Sequence, residues 1–111
     1  MQNLDAAARF HAPDPGEQVH WTEHLRVDAL SLGTYSIPAG AADEQQPHTE
    51  DEIYVVVSGR GNFEADGQRV PVGPGSTLYV PARQPHRFLD VTQDLAVVVV
   101  FAPPEGSAVQ G

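Results

Sequence analysis

The amino-acid sequence predicts an all-β protein, either a β-sandwich or a β-barrel. Short apolar runs recur along the chain, glycine and proline separate them, and no segment has the clear periodicity of a helix. The 111 residues suffice for one domain with one hydrophobic core. We expect an N-terminal arm over residues 1–24, a β-barrel domain over 25–103 and a C-terminal tail over 104–111.

The first half of the chain contains an irregular arm followed by strands. Two prolines and a glycine within 13–16 interrupt the arm, where a short helical turn around Leu4–Arg9 is the only regular element expected. Apolar residues over Leu25–Ile37 predict one or two strands, which end at Pro38-Ala39-Gly40.

Turn signals divide the central region into strands. Ile53–Ser58 is rich in β-branched residues, and Gly59-Arg60-Gly61 after it is interpreted as a hairpin turn. Asn62–Ala65 and Gln68–Val72 flank Asp66-Gly67, a strong hairpin signal because a type I′ turn needs positive φ at both central residues.

Three more strands are predicted after the turn Gly73-Pro74-Gly75. They are Thr77–Val80, His86–Val91 and Leu95–Phe101, with a loop at 81–85 after the first of them. Short strands at this spacing are typical of sandwiches and barrels.

The composition argues against several function classes. The formal net charge is −9, from 15 acidic and 6 basic residues, and there is no lysine, so neither nucleic acid nor an anionic membrane is an expected partner. The absence of cysteine excludes disulfides and thiolate chemistry. With no apolar run near the ~20 residues of a membrane span, we expect a cytoplasmic protein.

Four residues form a candidate metal site. Gln46, His48 and Glu52 are spaced so that they share one face of a strand, and His86 follows a strand punctuated by glycine and proline. Two imidazoles and one carboxylate bind divalent transition metals and leave coordination positions open.

These residues resemble the two motifs of the cupin family, in the short form found in small single-domain bacterial members (monocupins). The first motif corresponds to Gly40, Gln46, Pro47, His48, Glu52 and Gly59. The second corresponds to Gly75, Pro81, Ala82, Arg83, His86 and Asp90. The family usually has histidine at Gln46, glycine at Arg83 and asparagine at Asp90.

The resemblance implies a jelly-roll barrel (double-stranded β-helix) and a bound divalent metal. It implies His48, Glu52 and His86 as ligands, with Gln46 either a weak ligand or a polar residue at the pocket mouth. The two-histidine, one-carboxylate set favours Fe²⁺, and Mn²⁺, Ni²⁺, Zn²⁺ or Cu²⁺ are alternatives. Cupins of this size also often pair, so we expect a homodimer, with Val97–Val100 and the N-terminal segment as candidate contacts.

Tyr54 and Arg83 are the candidate catalytic residues. Tyr54 shares a face with Glu52, as Phe88 does with His86, so both aromatic residues either line the pocket or fill the barrel. Arg83 either binds a substrate carboxylate or pairs with an acid such as Asp90.

The remaining polar residues have simpler interpretations. Glu50 and Asp51 are expected to be solvated acids, although Glu50 could hydrogen-bond a ligand histidine. His20 and His24 have the spacing of helical metal ligands but are expected to be surface or cap histidines, because their surroundings resemble a strand.

Two functions remain open from the sequence. The first is a metal-dependent enzyme acting on a small molecule, with dioxygenase-like oxidation leading and isomerase or decarboxylase chemistry behind it. The alternative is a non-catalytic binding or sensor module with a structural or absent metal, and a dimer-forming scaffold is a weaker third interpretation.

Overall fold

Six antiparallel strands build the protein, in a computed structural model that describes residues 1–43 and 47–108. The elements are a 3₁₀-helix at Asp5–Ala8 and strands β1 (His20–Arg26), β2 (Ser31–Ile37), β3 (Asp51–Ala65), β4 (Gln68–Val72), β5 (Thr77–Val80) and β6 (His86–Ala102). The sheet order is β1-β2-β6-β3-β4, and β5 pairs with β3. This arrangement is the predicted all-β jelly-roll fold.

Strands β3 and β6 are longer than predicted and bend together. The sequence predicts a hairpin turn at Gly59-Arg60-Gly61, but this segment lies inside β3, so that prediction is wrong. The pairing with β6 shifts register between Val56 and Asn62, as β-bulges do when a strand bends around a core. The same bend joins the two predicted strands 86–91 and 95–101 into one.

The predicted hairpin at Asp66-Gly67 is confirmed. Ala65 pairs with Gln68, which leaves a two-residue turn, and Asp66 and Gly67 have φ of 52° and 72°. Positive φ at both positions is the requirement of a type I′ turn, so the local sequence determined this turn directly.

The first strand begins at His20 rather than at Leu25. Its residues before Leu25 are polar apart from Trp21, so the apolar pattern did not reveal them. The Trp21 indole packs over Gly33 of β2, where a Cβ would lie 2.4 Å from the ring. A bare glycine is therefore needed to seat this indole against the sheet.

The inward faces of the strands form one hydrophobic core. Its buried side chains are Tyr35, Ile37, Tyr54, Val56, Phe63, Val72, Val80, Phe88, Val91, Leu95, Val97, Val99 and Phe101. The N-terminal arm crosses the outer face of β2, where the Thr34 hydroxyl donates to the Ala7 carbonyl at 2.6 Å. Over the part of the chain that is described, no helix is long and apolar enough to cross a membrane.

Candidate metal centre

The structure brings three of the four predicted ligands together. Glu52 lies on β3, His86 begins β6, and His48 precedes β3. One ligand atom from each lies within 4.8 Å of those of the other two. Glu52 is 2% and His86 7% exposed, so these two face the barrel interior, whereas His48 is partly exposed.

The surroundings of His86 fix which nitrogen faces the cluster. Its Nδ1 lies 2.7 Å from the Gln84 carbonyl, which can only accept, so Nδ1 carries the proton. Its Nε2 lies 2.8 Å from the Tyr54 hydroxyl and 3.5 Å from Glu52 Oε1. His86 therefore presents Nε2 to the cluster, and in the neutral ring this nitrogen is the acceptor.

The His48 ring lies between two carboxylates. Its Nδ1 is 3.1 Å from Glu52 Oε1, and its Nε2 is 3.2 Å from Glu105 Oε2. The hydrogen bond to Glu52 raises the pKa of His48; burial opposes this, and the charges of Glu52, Glu105 and Glu50 add to it. The raised pKa favours a ring that donates to both carboxylates.

The residues present fit a divalent cation. Glu52 Oε2 is buried and has no hydrogen-bond partner among residues 1–43 and 47–108. Leaving a buried carboxylate oxygen without a partner costs about 1–3 kcal/mol or more. A cation beside Glu52 would satisfy this oxygen, and two imidazoles with one carboxylate are a donor set suited to a transition metal.

Gln46 lies outside the described residues, so its role as a ligand stays a prediction. The site is therefore defined by the other three predicted ligands.

A family model described as the cupin domain matches residues 33–102. The chain is a cupin. It is 44% identical over 85 residues to an uncharacterized protein of Streptomyces coelicolor, an alignment that covers 77% of this chain and 81% of that protein.

Solved structures show the same fold at low sequence identity. An RmlC-like cupin of Shewanella frigidimarina superposes with a TM-score of 0.75 at 18% identity, covering 91% of this chain and 90% of that one. A predicted oxalate decarboxylase of Thermotoga maritima superposes with a TM-score of 0.67 at 22% identity, covering 77% and 80%. At such identities the likeness establishes the fold alone.

A small cavity of about 140 Å³ opens beside His48 of this cupin's cluster. Its lining residues are Trp21, Tyr35, His48, Tyr54, Val99, Phe101 and Glu105. Tyr54 lines the cavity, whereas Phe88 packs against Tyr54 and Phe63 in the core. The wall is mostly aromatic, with polar groups at His48, Tyr54 and Glu105.

Arg83 lies on the surface, away from this cavity. It borders a different, open hollow of about 760 Å³, whose lining also includes Glu64, Arg87 and the cluster residue His86. Its backbone N–H donates to the His48 carbonyl at 2.7 Å, so the Arg83 backbone helps to place a cluster residue. Within the described ranges, the ion pair of Asp90 is with Arg69 at 3.7 Å rather than with Arg83.

The histidines of β1 belong to other contacts. His20 Nε2 is 2.7 Å from the Thr22 hydroxyl, and the ring stacks on His11 with centroids 4.1 Å apart. His24 Nε2 is 3.0 Å from the Thr34 hydroxyl. These rings therefore have local hydroxyl partners rather than a place in the cluster.

Sequence reasoning missed two acidic residues of the site. Glu50 was expected to be solvated, but it is 1% exposed and accepts hydrogen bonds from the Gly106 and Ala108 N–H groups. Burial raises the pKa of Glu50, but these bonds and one from Thr49 outweigh it and lower the pKa overall. Glu105 follows Pro103 and Pro104, which predict the end of the fold. No local sequence pattern indicates that its carboxylate lies beside His48.

Proposed function

We propose that this cupin is a divalent-metal-dependent enzyme that acts on a small organic molecule. The observation that supports it most is the buried Oε2 of Glu52, which lies beside two histidines and has no hydrogen-bond partner among the described residues. The donor set favours Fe²⁺. When bound, the metal would supply Lewis-acid and one-electron redox chemistry to the cavity.

Dioxygenase-like oxidation is the leading reaction. Both atoms of O₂ enter the product, so no external reductant is needed. Isomerase or decarboxylase chemistry at the same metal is the second choice, and the structural likeness to the predicted oxalate decarboxylase favours it only by analogy of fold.

The cavity limits the substrate to a small molecule. Its volume of about 140 Å³ equals roughly five waters of liquid, well below the usual range of ligand pockets. Trp21 and Phe101 supply an apolar wall that excludes water. The Tyr54 hydroxyl, 2.8 Å from His86 Nε2, is placed to give or accept a proton at the inner end of the cavity.

A non-catalytic binding or sensor role is the second candidate, and Gln46 favours it. An amide at the position where the family has histidine would weaken a metal site and, with it, turnover. Changing Gln46→His separates the two candidates. A large gain in metal affinity would support the weak-site interpretation, whereas unchanged affinity with stoichiometric metal would support the enzyme.

Metal content tests the proposed function directly. We expect protein purified without a metal-binding tag to contain stoichiometric metal by elemental analysis, and His86→Ala to lose it. His11→Ala is the matched control, because it removes an imidazole outside the cluster and should keep the metal. Full metal retention in His86→Ala, or a wild-type protein that takes up none of Fe²⁺, Mn²⁺, Ni²⁺, Zn²⁺ and Cu²⁺, would contradict the proposal.

The reaction class needs a separate measurement. Oxygen uptake by the iron-loaded protein, screened against small organic acids and enols, is expected if the enzyme is dioxygenase-like. Product formation without oxygen uptake would instead favour isomerase or decarboxylase chemistry. We place the enzyme in the cytoplasm, a proposal that rests on a chain without cysteine and without an apolar span.

A further inference from the structure

The chain after β6 turns back to the mouth of the cavity. In this C-terminal turn (residues 103–108), the Ser107 N–H donates to the Pro104 carbonyl at 2.9 Å. The Glu105 N–H donates to the Ser31 hydroxyl at 2.9 Å, and the Arg26 guanidinium donates to the Glu105 carbonyl at 2.8 Å. The backbone of Glu105 is thus held on both sides by residues of β1 and β2.

Glu50 attaches the same turn to the cluster. Its two carboxylate oxygens accept from the Gly106 and Ala108 N–H groups at 2.9 and 3.0 Å. A carboxylate that is 1% exposed is costly to bury unless it is hydrogen-bonded, so these bonds fix the turn firmly. Because Glu50 stands between His48 and Glu52 in the chain, the turn and the cluster are positioned together.

The two histidines of the cluster are held in parallel ways. His86 has its outer nitrogen, Nδ1, 2.7 Å from the Gln84 carbonyl and its inner nitrogen, Nε2, near Glu52 Oε1. His48 has its outer nitrogen, Nε2, 3.2 Å from Glu105 Oε2 and its inner nitrogen, Nδ1, 3.1 Å from the same Glu52 oxygen. In each ring an oxygen acceptor outside the cluster holds one nitrogen and leaves the other facing inward.

We propose that Glu105 is a positioning residue that orients His48, so that His48 binds the metal through Nδ1 while its Nε2–H donates to Glu105. Such outer partners of ligand histidines fix the ring orientation and increase ligand basicity. This inference rests on the proposed metal site and adds a residue from the C-terminal turn to it.

Metal affinity is the first test. Glu105→Ala should weaken Zn²⁺ binding, measured by calorimetry, by about 10–100-fold, the usual cost of losing an outer partner. Glu105→Gln should lose less, because its amide oxygen still accepts from Nε2–H. Glu64→Ala is the control, since it removes a partly exposed carboxylate on β3 that pairs with Arg69 and Arg87. Equal affinity in the wild type and Glu105→Ala would overturn the proposal.

Nitrogen NMR of the histidine rings gives a readout that a merely structural role would not change. With Zn²⁺ bound, ¹⁵N shifts should show His48 metallated at Nδ1 and protonated at Nε2, and Glu105→Ala should move the Nε2 signal. Metallation of His48 at Nε2 in the wild type would overturn the assignment.

The same spectra separate this inference from the proposed function. If the wild type binds no Zn²⁺, the proposed metal site is contradicted. The orientation of the His48 ring is then measured in the metal-free protein. There a His48 Nε2 signal that differs between the wild type and Glu105→Ala supports orientation by Glu105, and an identical signal refutes it.

The role of Glu50 is tested through its coupling to Glu105. Glu50→Gln should weaken Zn²⁺ binding by misplacing the C-terminal turn. If it acts through Glu105, the double variant with Glu105→Ala should bind no more weakly than Glu105→Ala alone. Fully additive losses would show that Glu50 does not act through Glu105.

Discussion

Two residues that depart from the cupin pattern have a left-handed backbone conformation. Arg83 and Asp90 have φ of 68° and 51°. The family usually has glycine and asparagine at these positions, the residue types that enter the left-handed region most readily. Asp90 adopts it at modest cost, whereas Arg83 is a strained residue, and no side-chain contact of Arg83 within residues 1–43 and 47–108 explains it.

Tyr35 and Asp43 form a buried polar link between strands. The Tyr35 hydroxyl donates to Asp43 Oδ1 at 2.6 Å, and Asp43 Oδ2 accepts from the Phe88 N–H at 2.7 Å. Burial raises the pKa of Tyr35 far above its usual value, and the charge and hydrogen bond of Asp43 raise it further. Tyr35 therefore keeps its proton in the folded protein above pH ~10, where a free tyrosine loses it.

This link predicts a specific loss of stability in alkali. Above pH ~10 the unfolded chain releases the Tyr35 proton and the folded protein retains it, so stability is full below pH ~10 and falls above it, by up to about 1.4 kcal/mol per pH unit. Tyr35→Phe should be less stable at pH 7 but should show a shallower decline above pH 10 in urea unfolding. Parallel declines in the two proteins would contradict this explanation.

At the level of elements, the bend of β3 depends on one glycine. Gly59 has φ of 91°, and a Cβ there would lie 2.1 Å from the Asp94 carbonyl oxygen. Gly67 in the type I′ turn also has positive φ, 72°, but a Cβ there would meet nothing within 4 Å. An alanine at Gly67 would therefore meet only backbone strain, whereas an alanine at Gly59 would meet both backbone strain and a steric clash.

We therefore expect the alanine variants to differ in stability. Gly67→Ala should lower the free energy of unfolding by about 1–2 kcal/mol, the cost of a left-handed alanine. Gly59→Ala should cost clearly more, because the paired β6 backbone must also move. Chemical denaturation of both variants measures the difference, and equal losses would show that the bulge can relax around a methyl group.

At the level of the whole molecule, an apolar row crosses the outer face of the sheet. Pairing in register places Leu25, Leu32, Val100, Ile53 and Tyr79 side by side on five strands. Tyr79 is 60% and Ile53 36% exposed. The chain has a net charge of −9, but none of these five residues is charged. A second copy of the chain could therefore cover this row without bringing like charges together there.

The homodimer expected from the sequence stays a prediction, and we propose this row as its contact surface. Of the predicted contact Val97–Val100, the side chains of Val98 and Val100 face outward, while Val97 and Val99 are buried in the core. Ile53→Arg should convert a dimer into a monomer in light scattering after gel filtration. Val70→Arg, at an exposed valine on β4, is the control and should not. A wild-type mass of one chain would remove the homodimer prediction.

Much of this fold was determined by local sequence. The type I′ turn at Asp66-Gly67, the turn at 73–75 and the strand Thr77–Val80 follow from residue types within a few positions, because such conformations depend on local φ preference and side-chain alternation. Motif spacing likewise predicted that His48, Glu52 and His86 meet at one site. Glu52 lies on β3 and His86 begins β6, but His48 lies before β3 rather than on a strand face shared with Glu52.

Only the tertiary structure decided the rest. Gly59 resembles a turn residue in sequence and is instead the bend of a long strand, because bulges are set by how the sheet wraps its core. Glu50 and Glu105 are ordinary acids by composition. They join the site because the chain after β6 returns across the barrel mouth, and contacts between residues 48–50 and 105–108 leave no periodic signal in the sequence.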